Sequence, residues 1–167
     1  MGFIAAAWGF AGLLFILIGP IIRLGELSLE AMEYEVQWYH WAVGLANIGF
    51  MLFTEGYRGF QKKFSPRVGA RLKHLYENPR WLDVFLAPLY IMGFYHTTRR
   101  RQIATFALLF VIIIFVILIR MLPQPWRGML DMGVVLGLSY GTVTILYFVW
   151  QAFTNKNYSI SPELPDS

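Results

Sequence analysis

The residues of this chain able to do chemistry are few and widely spaced. It has three histidines, His40, His74 and His96. A membrane haem would need two imidazoles on facing helices at similar depth. His40 stands near one predicted membrane interface and His96 near the other, so they do not predict a shared iron. Glu26, Glu30 and Glu33 fall on one helical face, which reads as a solvated helix side ahead of a divalent-cation site. No metal and no cofactor is expected. The remaining polar candidates are Glu55, Asp83, His96 and Asp131, because an ionisable group beside an apolar run is by default a functional candidate. Ion pairing accounts for the acids more simply: Glu55 and Asp83 with Arg58, Arg80 or Arg99 to Arg101, and Asp131 with Arg127 or Arg120.

Several reaction classes are excluded or unsupported. Cysteine is absent, which removes disulfides, thiolate metal sites and cysteine nucleophiles. The sequence has no phosphate-cradling glycine loop, no GxSxG and no HExxH, so no catalytic residue is assigned. The expectation is a non-enzymatic protein.

The elements that would hold these groups are apolar helices. Of the 167 residues, 57% are hydrophobic and 14% charged, with a mean hydropathy of +0.51. Soluble domains carry about 25% charged residues, so lipid is the expected solvent. The chain reads as an all-α integral membrane protein with four transmembrane helices, a cytoplasmic amphipathic helix and a short re-entrant or interfacial helix. Residues 1–154 form one membrane-embedded helical domain, and 155–167 a polar, disordered C-terminal tail.

Met1 to Ile22 holds no charge and is long enough for a first span, since a crossing needs about 20 residues. Trp38 to Thr54 is the second, continuing as a polar extension to Phe64. Ser65-Pro66 has the form of a new helix start, with Val68, Leu72 and Leu75 on one side and Arg67, Arg71 and Lys73 around them, as on a membrane-surface helix. Asn78-Pro79 repeats the start signal. Trp81 to His96 is short, carries Asp83 and Pro88, and has basic clusters on both sides, so it is read as re-entrant or interfacial. Ile103 to Ile119 must cross, Pro123 and Pro125 make a tight turn, and Gly128 to Trp150 is the last span.

Ten of the fourteen Lys and Arg residues lie between Arg58 and Arg101, which by the positive-inside bias predicts that both termini are cytoplasmic. Trp38, Trp41, Trp81, Trp126 and Trp150 sit near the predicted span ends, as an aromatic belt would. Arg58, Lys62, Lys63, Arg67, Arg71, Lys73, Arg99, Arg100 and Arg101 are the expected contacts to anionic lipid headgroups or a cytoplasmic partner. Nucleic acid is not expected. Gly133, Gly137 and Gly141 recur every four residues in the last span, a helix-packing face that lets another backbone approach. Packing within the monomer is the simpler use of that face, with Gly44 and Gly49, or Gly9 and Gly12, as mates. Asn47 suits an interhelical hydrogen bond.

The run Phe53-Thr-Glu-Gly-Tyr-Arg-Gly-Phe-Gln-Lys-Lys-Phe-Ser-Pro-Arg67 resembles small bacterial inner-membrane proteins, a resemblance that implies a location and no activity. The expected function is an accessory or scaffolding subunit of a membrane complex, or a homo-oligomer. The alternatives are a small transporter or channel protomer using Glu55, Asp83, Asp131 and Asn47, and a lipid-modifying enzyme using His96 and Asp83.

Overall fold

The structure is a computed structural model and describes residues 1–155 and 158–164. Its regular elements are all helical: α1 (Gly2–Glu30), α2 (Trp38–Met51), α3 (Ser65–Glu77), α4 (Trp81–Phe85), α5 (Ala87–Met92), α6 (Arg99–Arg120) and α7 (Trp126–Thr154). A single 3-10 turn, Ala31–Glu33, closes α1, and a π-helical stretch, Leu52–Phe64, joins α2 to α3.

Among the described residues, three helical segments are long and apolar enough to cross a membrane: Gly2–Glu33, Arg99–Arg120 and Trp126–Thr154. The expected second span differs. Its α-helical part is 14 residues long and passes into 13 π-helical residues that include Glu55, Arg58, Lys62 and Lys63. The apolar run is therefore cut short by polar residues halfway along the rod.

α7 is the spine. α1 runs antiparallel to it: the Gln124 side chain, in the turn that leads into α7, donates to the Leu27 carbonyl at 3.3 Å near the end of α1. At the other end, Phe3 and Phe153 border one cleft. The rod from α2 to α3 runs parallel to α7. His40 lies 4.4 Å from the Trp126 ring, the Asn47 amide donates to Leu130 O at 2.9 Å, and Ser65 Oγ meets Thr144 Oγ1 at 2.9 Å. His40 thus works as a helix start, accepting the Gln37 N–H on Nδ1 at 3.0 Å, and Asn47 makes the interhelical bond its polarity suggested.

The helix-start signals are used differently from the expectation. Ser65 is itself helical, so the rod continues into α3 without a break, and its hydroxyl goes to α7 in place of a cap. Asn78 closes α3, and α4 begins at Trp81 after Arg80 in extended conformation. The segment 81–92 is two short helices, α4 of five residues and α5 of six, far below the length of a crossing. α5 lies on α1: a Cβ on Gly9 would come within 2.3 Å of Ile91, and one on Gly12 within 2.5 Å of Pro88.

The core gathers where α1, α3, α5 and α7 meet, around Leu13, Val68, Leu72, Leu75, Tyr90 and Ile145. α6 stands apart from it, with Ile119 its one buried residue.

Candidate functional site

The polar centre of the molecule is Arg71. Val68, Arg71, Leu72 and Leu75 form one i, i+3, i+4, i+7 stripe of α3, and packing that stripe inward carries the guanidinium with it, to 3% exposure. A buried cation is tolerated only where its donors are met. Arg71 Nε donates to Tyr90 O at 2.7 Å, Nη2 to His96 O at 2.7 Å and to Tyr95 O at 3.1 Å, and Nη1 to Pro162 O at 3.1 Å. The Tyr90 ring lies 4.6 Å beneath the guanidinium. Burial pulls the Arg71 pKa below its ordinary value, and Tyr90 and Glu163 partly restore it.

Local sequence explains why these carbonyls converge. Gly93 ends α5 with φ +82°, a left-handed position that glycine adopts without a Cβ clash. Phe94 N–H then returns to Leu89 O at 3.0 Å and Gly93 N–H to Tyr90 O at 3.1 Å, a Schellman closure. His96 has φ +51°, strained for a non-glycine residue by about 1–2 kcal/mol, and both its carbonyl and that of Tyr95 meet Arg71. His96 is therefore part of the cradle through its backbone. Its buried ring nitrogen Nδ1 has no hydrogen-bond partner among the described residues, and its ring stacks 6.2 Å from Tyr90.

Below the cradle, Tyr90 OH meets His74 Nδ1 at 3.0 Å. Burial pushes the Tyr90 phenol up to about 12, and which of the two groups donates follows the imidazole tautomer. The His74 pKa is lowered first by burial and then by the Arg80 charge. Asp83 is buried at 4% exposure, but among the described residues no ion pair joins it, or Glu55, to a basic residue. The pairing expected for those two acids is not made.

Above the cradle lies the C-terminal segment. Glu163 Oε2 is 3.3 Å from Arg67 Nη1 and 3.5 Å from Arg101 Nε. Glu163 O accepts from Thr97 Oγ1 at 3.1 Å, and Tyr158 OH donates to Pro66 O at 2.6 Å. Residues 155–167 were expected to be a disordered tail; positions 158–164 make these contacts, while 156–157 and 165–167 lie outside the described residues. Burial, then the Arg101 charge, lowers the Arg67 pKa. A cavity of about 10 Å³, the size of one water, is lined by Phe64, Arg67, Arg71, Gly93, Arg101 and Glu163 among others.

The other predicted residues fall elsewhere. With the C-terminal segment docked over it, Arg71 is buried and meets no headgroup, a correction that follows from its place on the apolar stripe. Arg58, Lys62, Lys63, Arg99 and Arg100 are exposed and Lys73 is half-buried. Asp131 pairs with Arg127 Nε at 3.8 Å, one of the two partners expected for it. Gly133, Gly137 and Gly141 are all buried against the α2 rod: their Cβ positions approach Asn47 at 2.2 Å, Met51 O at 3.5 Å and Phe60 at 2.5 Å. Of the proposed mates, Gly44 faces Met129 on α7, Gly49 faces open space, and Gly9 and Gly12 face α5.

Sequence reasoning missed Tyr90, Thr97, Pro162 and Glu163. The stripe containing Arg71 was the one available signal. No protein-family model, curated protein or solved structure matches the chain.

Proposed function

We propose that the chain is a non-enzymatic multi-pass protein of a bacterial inner membrane, crossing four times with both termini cytoplasmic. It serves as an accessory or scaffolding subunit that presents α6 to another membrane subunit or to a second copy of itself.

The observation that carries this reading is the bareness of α6. Every residue from Phe106 to Leu118 is exposed; the contacts of its first turns, Gln102 to Phe94 O at 3.2 Å and Phe106 against Phe94 at 5.5 Å, anchor its start, and Ile119 is buried at its far end. Four crossings are supported by the α2 rod, which accompanies α7 from Trp126 to Thr144. A shared side for the termini is supported by the cleft that Phe3 and Phe153 both border, at the end of the molecule where Arg67 and Arg101 lie.

Because the chain has no cysteine, single replacements are clean probes. Ile113→Cys on α6 and Phe15→Cys on the exposed side of α1 are to be crosslinked in intact membranes with a short thiol reagent. A discrete adduct from Ile113, with none from Phe15, is the expected outcome. Adducts of equal strength at both positions, or none at Ile113, would overturn the role of α6.

A further inference from the structure

Three guanidinium groups, from Arg67, Arg71 and Arg101, converge on one small cavity. Among the described residues a single carboxylate, Glu163, faces them. Its fit is poor. One oxygen serves both Arg67 and Arg101, at 3.3 and 3.5 Å, against roughly 2.7–2.9 Å for a well-formed charge-assisted bond. The bidentate geometry for which arginine is suited is not used, and among the described residues three cations face one acid.

The origin of each ligand matters. Arg71 takes three of its four carbonyls from the folded body, Tyr90 O from α5 and Tyr95 O and His96 O from the connection between α5 and α6. The fourth, Pro162 O, belongs to the C-terminal segment, as does the Glu163 carboxylate. The described residues of that segment, 158–164, form no helix, and Thr97 Oγ1 to Glu163 O and Tyr158 OH to Pro66 O are two of the bonds that hold it. Lifting it would free Arg71 Nη1 and the carboxylate-facing sides of Arg67 and Arg101 together. What remains is a cluster of donors and positive charge that matches a tetrahedral oxyanion better than it matches one carboxylate.

We infer that Arg67, Arg71 and Arg101 form a binding site for a phosphate-bearing anion, and that the segment around Glu163 is its internal competitor, docked until such an anion displaces it. The phosphate can belong to the headgroup of an anionic lipid or to a soluble ion. The inference stands independently of what α6 meets.

The test uses the full chain in uncharged detergent. Ser159→Cys, at an exposed position, carries a spin label that reports whether the segment is docked. The probes are dihexanoyl phosphatidylglycerol and inorganic phosphate, with dihexanoyl phosphatidylcholine as control. Label mobility is expected to rise saturably with phosphatidylglycerol. In native mass spectrometry, Glu163→Gln is expected to bind that probe about tenfold more tightly, because the competitor no longer reduces the competent fraction. Arg101→Gln should weaken it by a similar factor. Release by phosphatidylglycerol alone identifies a lipid headgroup site; release by inorganic phosphate as well identifies a general phosphate site. No release by either probe, or equal binding by wild type and Glu163→Gln, would overturn the inference. If Glu163→Gln loses its helical circular dichroism, the label titration and the Arg101→Gln arm still decide it.

Discussion

α3 and α6 invert the usual relation between polarity and burial. α3 holds Arg67, Arg71, Lys73, His74 and Glu77, yet buries Ser65, Val68, Gly69, Ala70, Arg71, Leu72 and Leu75. α6 has no charge between Arg101 and Arg120, yet buries only Ile119. In water the reverse would hold. In lipid, hydrocarbon gains little by leaving an apolar solvent, whereas polar groups must find partners inside the protein. Small residues then decide which helices pack: α3 has Gly69 and Ala70, α7 has its glycine face, and the middle of α6 offers Ile, Val, Leu and Phe.

The comparison can be broken most forcefully at Arg71. Arg71→Leu adds apolar surface but leaves the carbonyls it served without that donor, at about 1–3 kcal/mol for each buried group left unsatisfied. We expect a loss of roughly 3–5 kcal/mol, the cost typical of breaking a buried charge's partnership, in denaturant unfolding of the detergent-solubilised protein. A loss below about 1 kcal/mol would show that the cradle contributes little.

Small residues give the next effect. Gly69→Ala drives a Cβ to 2.8 Å from Phe148 O, and Gly141→Ala to 2.5 Å from the Phe60 ring; each should cost about 1–3 kcal/mol through overpacking. Gly137→Ala meets nothing closer than 3.5 Å and should be neutral, or stabilising by up to about 1 kcal/mol from helix propensity. Equal losses at all three positions would remove the distinction between filled and open glycine sites.

A smaller effect should come from His74. Its folded-state pKa is lowered from 6.5, so the unfolded chain binds more protons there and stability is full above pH 6.5, falling as pH drops through the folded value. Melting temperature measured downward from pH 7 should decline, and His74→Gln should flatten that decline. An unchanged slope in the variant would locate the pH dependence elsewhere. The smallest effect belongs to α6: Ile113→Ala should change stability by less than about 0.5 kcal/mol, although the same change in a packed core costs about 2–5. A large loss there would mean that α6 packs on the rest of its own chain.

How much of this was legible follows from the same physics. The long apolar runs, the packing use of Gly133, Gly137 and Gly141, the bond of Asn47 and the pairing of Asp131 with Arg127 are local or composition-driven, and the sequence displays them. The burial of Arg71 was half visible, since it completes a stripe with Val68, Leu72 and Leu75, but arginine on an amphipathic helix is ordinarily assigned to the surface. Glu163 was not legible. Its partners lie 62 and 96 positions away (163 − 101 and 163 − 67), and one acid in a polar tail has no periodicity to mark it.

The placement of the start of α1 and the end of α7 gives the helical body nearly the form of a ring. α1 starts and α7 finishes beside the same cleft, while the Leu122 to Pro125 turn at the opposite end cuts no helix. Circular permutation therefore has a natural design: a short linker from the end of α7 to Gly2, with new termini opened in that turn, which keeps every helix and removes only the segment that brings Pro162 and Glu163 to the arginines.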